Sequence, residues 1–258
     1  MCDAGHGAPL IPWPNRLEDG RYRFDGRAYQ LALSEPERRN AIHGLLRWRP
    51  WQVVSHGADR VTMGTCLFPT PGYPFSLKVQ IEYRLGANGL TVTMRAWNVG
   101  ESDLPYACGQ HLYLSAGGGY IDDCELRFAA GTRILADPER QLPVGQEPVV
   151  DSAYDFGAAR RIGKTRIDFA FGDLERDEEG RARACLTGVD GRQVELWAGR
   201  AFGYLQVYTG DGLESDRRRM SLAVEPMTCP PNGLKTGEQI VRLHPGESWE
   251  GCWGVRVV

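Results

Sequence analysis

Leu77-Lys-Val-Gln-Ile-Glu-Tyr-Arg-Leu85 alternates without a break: Leu77, Val79, Ile81, Tyr83 and Leu85 fall on one side of an extended chain, and Lys78, Gln80, Glu82 and Arg84 on the other. A period of two marks a strand with one face buried and one face in water. The turn Gly86-Ala-Asn-Gly89 follows, and Leu90 to Trp97 repeats the alternation, so the two runs read as a hairpin. Further strands are expected at Val61 to Phe68, Gln193 to Ala198, Tyr204 to Thr209, Ser221 to Val224 and Ser248 to Val257. No segment holds apolar residues at helical spacing for three turns, and 32 glycines and 16 prolines divide the chain into short runs. Many short strands with frequent turns imply an all-β sandwich or barrel. Without a linker-like shift in composition or an internal repeat, residues 1–258 are expected to form a single domain.

Composition narrows the partners. A chain of 258 residues with 42% hydrophobic content has enough apolar side chain for a substantial core. A net charge of -3 gives no basic field, so neither nucleic acid nor a membrane surface is an expected partner, and a small neutral ligand is. The seven cysteines, Cys2, Cys66, Cys108, Cys124, Cys185, Cys229 and Cys252, include no C-x-x-C pair. They are expected to be reduced thiols of a cytoplasmic protein, without structural zinc. Neither a charged-then-apolar leader nor a membrane-length apolar run is present, so secretion and membrane spanning are not expected. Monomer and homodimer stay open. The charged run Leu174 to Arg183 reads as a solvated hairpin tip. Arg217-Arg218-Arg219 could grip a phosphate, although on an extended chain at most two of the three point the same way. Gly117-Gly-Gly119 lacks the strand-then-helix context of a dinucleotide site.

Chemistry concentrates elsewhere. Leu222-Ala-Val-Glu-Pro-Met-Thr-Cys-Pro-Pro-Asn232 places Glu225 at the end of an apolar strand, just before a proline-rich stop. Parity puts Glu225 with Ala223 and Ser221, small residues that leave room for a ligand, and opposite Leu222 and Val224. In Gly109-Gln-His-Leu-Tyr-Leu114, His111, Tyr113 and Ser115 share one face while Gln110, Leu112 and Leu114 share the other. Taken alone, His111 would be a hydrogen-bonded structural histidine and Glu225 a surface carboxylate. Together, a carboxylate raised by burial and a histidine held protonated by a neighbouring negative charge suit acid–base work near neutral pH.

These motifs are similar to those of the aldose 1-epimerase (galactose mutarotase) family. Ala-Val-Glu-Pro-Met-Thr-Cys-Pro-Pro resembles its glutamate motif and Gly-Gln-His-Leu-Tyr-Leu its histidine motif, with Leu112 where proline is usual. The resemblance implies Glu225 as base on the C1 hydroxyl and His111 as acid to the ring oxygen, the two facing each other across a pyranose. Pro12-Trp-Pro-Asn-Arg16 resembles the N-terminal signature, which implies Arg16 and its neighbour Asn15 as sugar contacts. Asn40-Ala-Ile-His-Gly-Leu-Leu-Arg-Trp48 resembles the second-histidine motif and implies His43. Ile167-Asp-Phe-Ala-Phe171 implies Asp168, and Tyr204-Leu-Gln-Val-Tyr-Thr-Gly210 offers Gln206. Trp48 and Tyr113 are candidate covers for the apolar face of a sugar. The implied fold is a large antiparallel β-sandwich, the galactose mutarotase-like supersandwich. The chain starts a dozen residues before the signature, so this sandwich is expected to lack its first N-terminal strands and to expose a sheet edge or pocket rim.

The reading is therefore a mutarotase acting on a free aldose, with no metal and no cofactor. Alternatives from other classes are a catalytically weak sugar-binding or regulatory module, a glycoside hydrolase pairing Glu225 with Asp168, and a hexose-phosphate mutarotase using Arg217 to Arg219 or Arg47 and Arg49.

Overall fold

The computed structural model describes residues 5–258; Cys2 lies outside them. Two large antiparallel sheets form a β-sandwich. The nine-stranded sheet runs in the order Arg160–Arg161, Glu125–Phe128, Ala182–Thr187, Gln193–Ala198, Ser248–Val257, Gly89–Asn98, Leu77–Gly86, Arg60–Leu67, Gln52–His56. The eight-stranded sheet runs Pro9–Leu10, Gly109–Gln110, Leu222–Met227, Tyr204–Tyr208, Asp168–Leu174, Ala130–Ala136, Pro143–Pro148, with Tyr113–Leu114 also paired to Leu222–Met227. Helical elements among the described residues are single turns, Pro36–Arg38, Ile121–Asp123 and Gly233–Thr236.

The hairpin that decides the fold closes as its turn chemistry requires. Gly86 pairs with Gly89 around Ala87 and Asn88, and the ladder runs back to Leu77 opposite Asn98. Leu77, Val79 and Ile81 are buried, each worth about 1.5–3 kcal/mol of apolar transfer. The alternation fails at the tip: Leu85 is 64% exposed, because the strand outruns the core beneath it. One apolar cluster joins both sheets, with Val79, Met94, Leu196 and Trp253 from one and Leu205, Val207, Leu222 and Val224 from the other.

The charged run is not a hairpin tip. Asp168–Leu174 and Ala182–Thr187, the strands it joins, belong to different sheets, so it is a crossover between layers. Its charges fold it into a turn: Arg176 donates to the carbonyl of Phe202 at 2.7 Å, and Asp177 accepts the Arg181 N–H at 2.8 Å. An exposed edge occurs at Gln52–His56, where Val53 and Val54 are open to solvent. Cys66, Cys108, Cys124, Cys185, Cys229 and Cys252 are all free thiols. No helix among the described residues is long and apolar enough to cross a membrane.

Candidate active site

Register brings the polar residues together. Glu225 lies opposite Gln206, Tyr208 opposite both Ala223 and Asp168, and Tyr113 opposite Ala223. Cross-strand partners point to the same side of a sheet, and residues two apart repeat it. Glu225, Gln206, Asp168, Tyr208 and Tyr113 thus share one face of the eight-stranded sheet, while Leu222, Val224, Leu205 and Val207 face the core. The strand carrying Glu225 continues through Pro226 to Met227, so the carboxylate sits inside it, two residues before its end, and not at the end as the sequence suggested.

His111 arrives differently. Its strand breaks after Gln110 and resumes at Tyr113, and the gap is held by the N-terminal segment: the Gly7 N–H donates to the His111 carbonyl at 2.7 Å, and the His111 N–H to that of Ala8 at 3.0 Å. Nε2 of His111 then lies 3.4 Å from Oε1 of Glu225. Both side chains are buried, and Nδ1 of His111 and Oε2 of Glu225 have no protein hydrogen-bond partner. A pair in contact leaves no space for a ring between its members, so the expected arrangement across a pyranose is corrected. A hemiacetal places its hydroxyl and its ring oxygen on the same carbon, and adjacent groups suit that better than opposed ones.

Burial dominates the electrostatics. It pushes the Glu225 carboxyl well above the usual carboxylate range, helped by the charge of Asp168 and opposed by Arg16. It pushes His111 down to about 3, with His6 nearby adding to the fall. The expectation that a negative neighbour would hold the imidazole protonated is therefore not met. His43 is likewise lowered by burial and by His111, and Asp168 is raised by burial against the pull of Arg16 and Gln206.

The remaining candidates fall around this pair. The ring of His43 meets that of His111 edge to face at 5.3 Å. Tyr113 stacks on His111 at 5.1 Å. A cleft is lined by Asn15, Arg16, Asp168, Phe169, Gln206 and Pro231. Trp48 is not buried against the pair: it is 51% exposed and carries the guanidinium of Arg47 at 4.7 Å. Arg219 is taken up by ion pairs with Asp122 and Asp211 and by the carbonyl of Gly163, which removes it from the proposed phosphate grip. His43, His111 and Glu225 each offer one ligand-type atom within 4.8 Å of the others, so the geometry contains a three-ligand cluster where the sequence reading expected no metal.

Sequence reasoning missed three neighbours. Glu35 grips Arg16 through hydrogen bonds that include 2.8 Å to Nε and 2.9 Å to Nη2; like Glu225 it stands directly before a proline, which keeps it out of helical backbone. His6 stacks on Tyr113 at 3.9 Å, and with only five histidines in the chain each one merited weighing. Tyr208 occupies the same face, at a position parity alone could have marked.

Fold and site together define an antiparallel β-sandwich that presents a buried carboxylate–imidazole pair on one sheet. The chain belongs to the aldose 1-epimerase family, whose model matches residues 2–252. It is 36% identical over 245 residues to the uncharacterized protein YihR of Escherichia coli K12, covering 93% of this chain and 75% of that one. Over 245 residues it is 27% identical to galactose mutarotase of Homo sapiens, covering 85% of this chain and 66% of that protein, so it spans about two thirds of the human chain. Among solved structures, the GalM/aldose epimerase homologue from C. elegans superposes with a TM-score of 0.86 at 17% identity over 99% of this chain and 83% of that one. Galactose 1-epimerase from Lactobacillus acidophilus NCFM gives 0.79 at 21% identity over 99% and 81%.

Proposed function

We propose that this protein interconverts the α and β anomers of a free aldose by acid–base opening and reclosure of the ring, with Glu225 as base and His111 as acid. The observation that carries this reading is the contact between the two buried groups, 3.4 Å apart, on the sheet face that also holds Asp168 and Gln206. Burial raises Glu225 and lowers His111, so the two groups compete for a shared proton. When that proton lies on His111, Glu225 removes the proton of the C1 hydroxyl while His111 delivers its own to the ring oxygen. The bond between C1 and the ring oxygen breaks, C1 becomes an aldehyde, and rotation about C1–C2 presents its other face. Reclosure returns both protons with the roles exchanged, so the pair ends as it began. Arg16, whose cation draws Glu225 toward its ionised form, favours the reactive distribution. Arg16, His43 and Asp168 orient hydroxyls.

Proton NMR exchange between the anomeric signals of several aldoses, with and without protein, tests this directly. Glu225→Gln and His111→Asn are each expected to slow exchange by about 10²–10⁴. Saturable sugar binding without faster anomer exchange in the unaltered protein would instead identify a binding module.

A further inference from the structure

Beyond Asp168 the site face of the eight-stranded sheet continues onto the next strand, Ala130–Ala136. Thr132 lies opposite Gly172, so parity places Ile134 and Ala136 on the face that carries Ala170 and Asp168. Both line the cleft that Arg16, Asp168 and Gln206 share, together with Pro143 and Gln141 from the far side of the same hairpin. Glu225, Gln206 and Ala170 stand abreast on three neighbouring strands, a span of about 10 Å, and Gln141 comes from the hairpin beyond the third. The cleft changes character along its length. Charged groups stand near the reacting pair, and the hairpin adds an apolar wall, Ile134, Ala136 and Pro143, with one amide, that of Gln141.

The backbone of Gln141 is fixed before any ligand arrives. It is left-handed at φ 56, and its N–H donates to the carbonyl of Asp137 at 2.9 Å. The Asp137 carboxylate accepts the N–H groups of Glu139, Arg140 and Leu142 at 3.1, 2.7 and 3.0 Å. Arg140 then fastens this turn to the segment around Arg16: its guanidinium donates to Oδ1 of Asp19 at 2.7 Å and to the carbonyls of Arg38 and Arg39 at 3.1 and 3.0 Å. Its own carbonyl accepts Nδ2 of Asn40 at 2.9 Å, across 100 positions of sequence. Asn40 pairs with Glu18 in the two-stranded sheet that also pairs Arg16 with Ile42, and its Nδ2 donates as well to Glu35, the partner of Arg16. Two walls of the cleft are therefore locked to each other, which lowers the ordering cost of a contact made by the turn.

We propose that Gln141 is a specificity-determining residue that meets the exocyclic hydroxymethyl group of a hexose, and that Arg140 is the residue that positions it. With C1 against Glu225 and His111, the exocyclic arm is the part of the sugar that extends past the ring. Its methylene suits the wall of Ile134, Ala136 and Pro143, and its hydroxyl suits an amide that can both donate and accept. A pentose has the ring without the arm. It leaves the amide unpaired, and a site built to bond a hydroxyl disfavours the analogue that lacks it. The inference rests on the mutarotase reading for the placement of C1.

D-Glucose and D-xylose differ only in this group, as do D-galactose and L-arabinose. In Gln141→Ala the hexose-to-pentose ratio of kcat/KM for anomer exchange should fall about tenfold in both pairs, chiefly through a higher KM for the hexose. Arg140→Met frees the turn and should lower the same ratio, and the double variant should fall no further than Gln141→Ala, because both changes act through one side chain. Calorimetry with the 1-deoxy pyranoses of glucose and xylose, which lack the C1 hydroxyl and cannot change anomer, gives the binding counterpart. Gln141→Ala should weaken the glucose form about tenfold and the xylose form far less. A protein without anomer exchange that still shows this binding difference would sink the mutarotase reading and sustain the contact. Equal losses for hexose and pentose, no loss for either, or binding of neither 1-deoxy sugar by the unaltered protein would overturn the contact. Losses that add in the double variant would overturn the role of Arg140.

Discussion

Glu225 has two unlike oxygens. Oε1 faces Nε2 of His111, while Oε2 is buried without a protein partner. A carboxylate in that position stays ionised only at a desolvation cost, so it takes up a proton that a surface glutamate would release. His111 is bound by the same burial in the opposite sense, down to about 3. Their titrations belong to the pair, and the pair gains a second proton only in strong acid. The consequence is a pH profile without the usual histidine limb. An unperturbed imidazole acid would bend the profile near 6.5; here kcat for anomer exchange should stay level from pH 7 to 5. Exchange rates at fixed ionic strength with saturating sugar give the profile. A bend near 6.5 that vanishes in His111→Asn would mean that the imidazole titrates as an exposed one does. The candidate residues were legible at this scale because strand parity marks a face from sequence alone. Their partners were not: Glu35 reaches Arg16, and Asn15 reaches His43 and Gln206, through turns whose contacts span 19, 28 and 191 positions.

Breaks between strands, and not the strands themselves, hold the two histidines. His43 sits at φ 63 and is followed by Gly44 at φ 70, in a turn pressed against the segment before Asn15. The Leu45 N–H donates to the carbonyl of Ile11 at 2.6 Å, and a Cβ on Gly44 would lie 2.0 Å from that oxygen. Gly44→Ala must therefore separate the two segments. It should cost about 1–3 kcal/mol of stability and raise KM by moving His43. Gly26, also left-handed at φ 74, has nothing within 4 Å of its Cβ position. Gly26→Ala should cost about 1 kcal/mol through backbone conformation alone, with KM unaffected. Urea denaturation alongside KM separates the cases; equal costs and equal KM values in the two variants would refute the role given to the turn. Long strands such as Gln193–Ala198 and Ser248–Val257 were legible to the residue because alternation over many positions sets their limits. The two-residue strands Gly109–Gln110 and Tyr113–Leu114 were not, since such short pieces exist only through the strands they pair with. The crossover after Leu174 was misread for the same reason: local charge reports solvation, not which sheet the chain enters next.

Across the whole molecule the buried ionisable groups make stability depend on pH with opposing signs. His111 binds its proton at about 3 in the folded chain against 6.5 unfolded. Between those values only the unfolded chain holds the proton, so this group's stability contribution is complete above 6.5 and falls as the pH drops toward 3. His43 is lowered too and acts in the same direction. Glu225 is raised above 4.5, so its neutral form favours the folded chain; its contribution is complete below 4.5 and is lost as the pH rises through the folded value. Surface carboxylates titrate alike in all variants and cancel when a variant is compared with the unaltered protein. Relative to that protein, His111→Asn should gain about 2 kcal/mol between pH 7 and pH 5, because it no longer carries a ring that the unfolded chain protonates. Glu225→Gln should move the other way, losing ground as the pH falls. Urea midpoints and slopes at the two pH values measure both differences. Shifts of the same sign in the two variants would mean that the carboxyl and the imidazole do not titrate as a buried, desolvated pair.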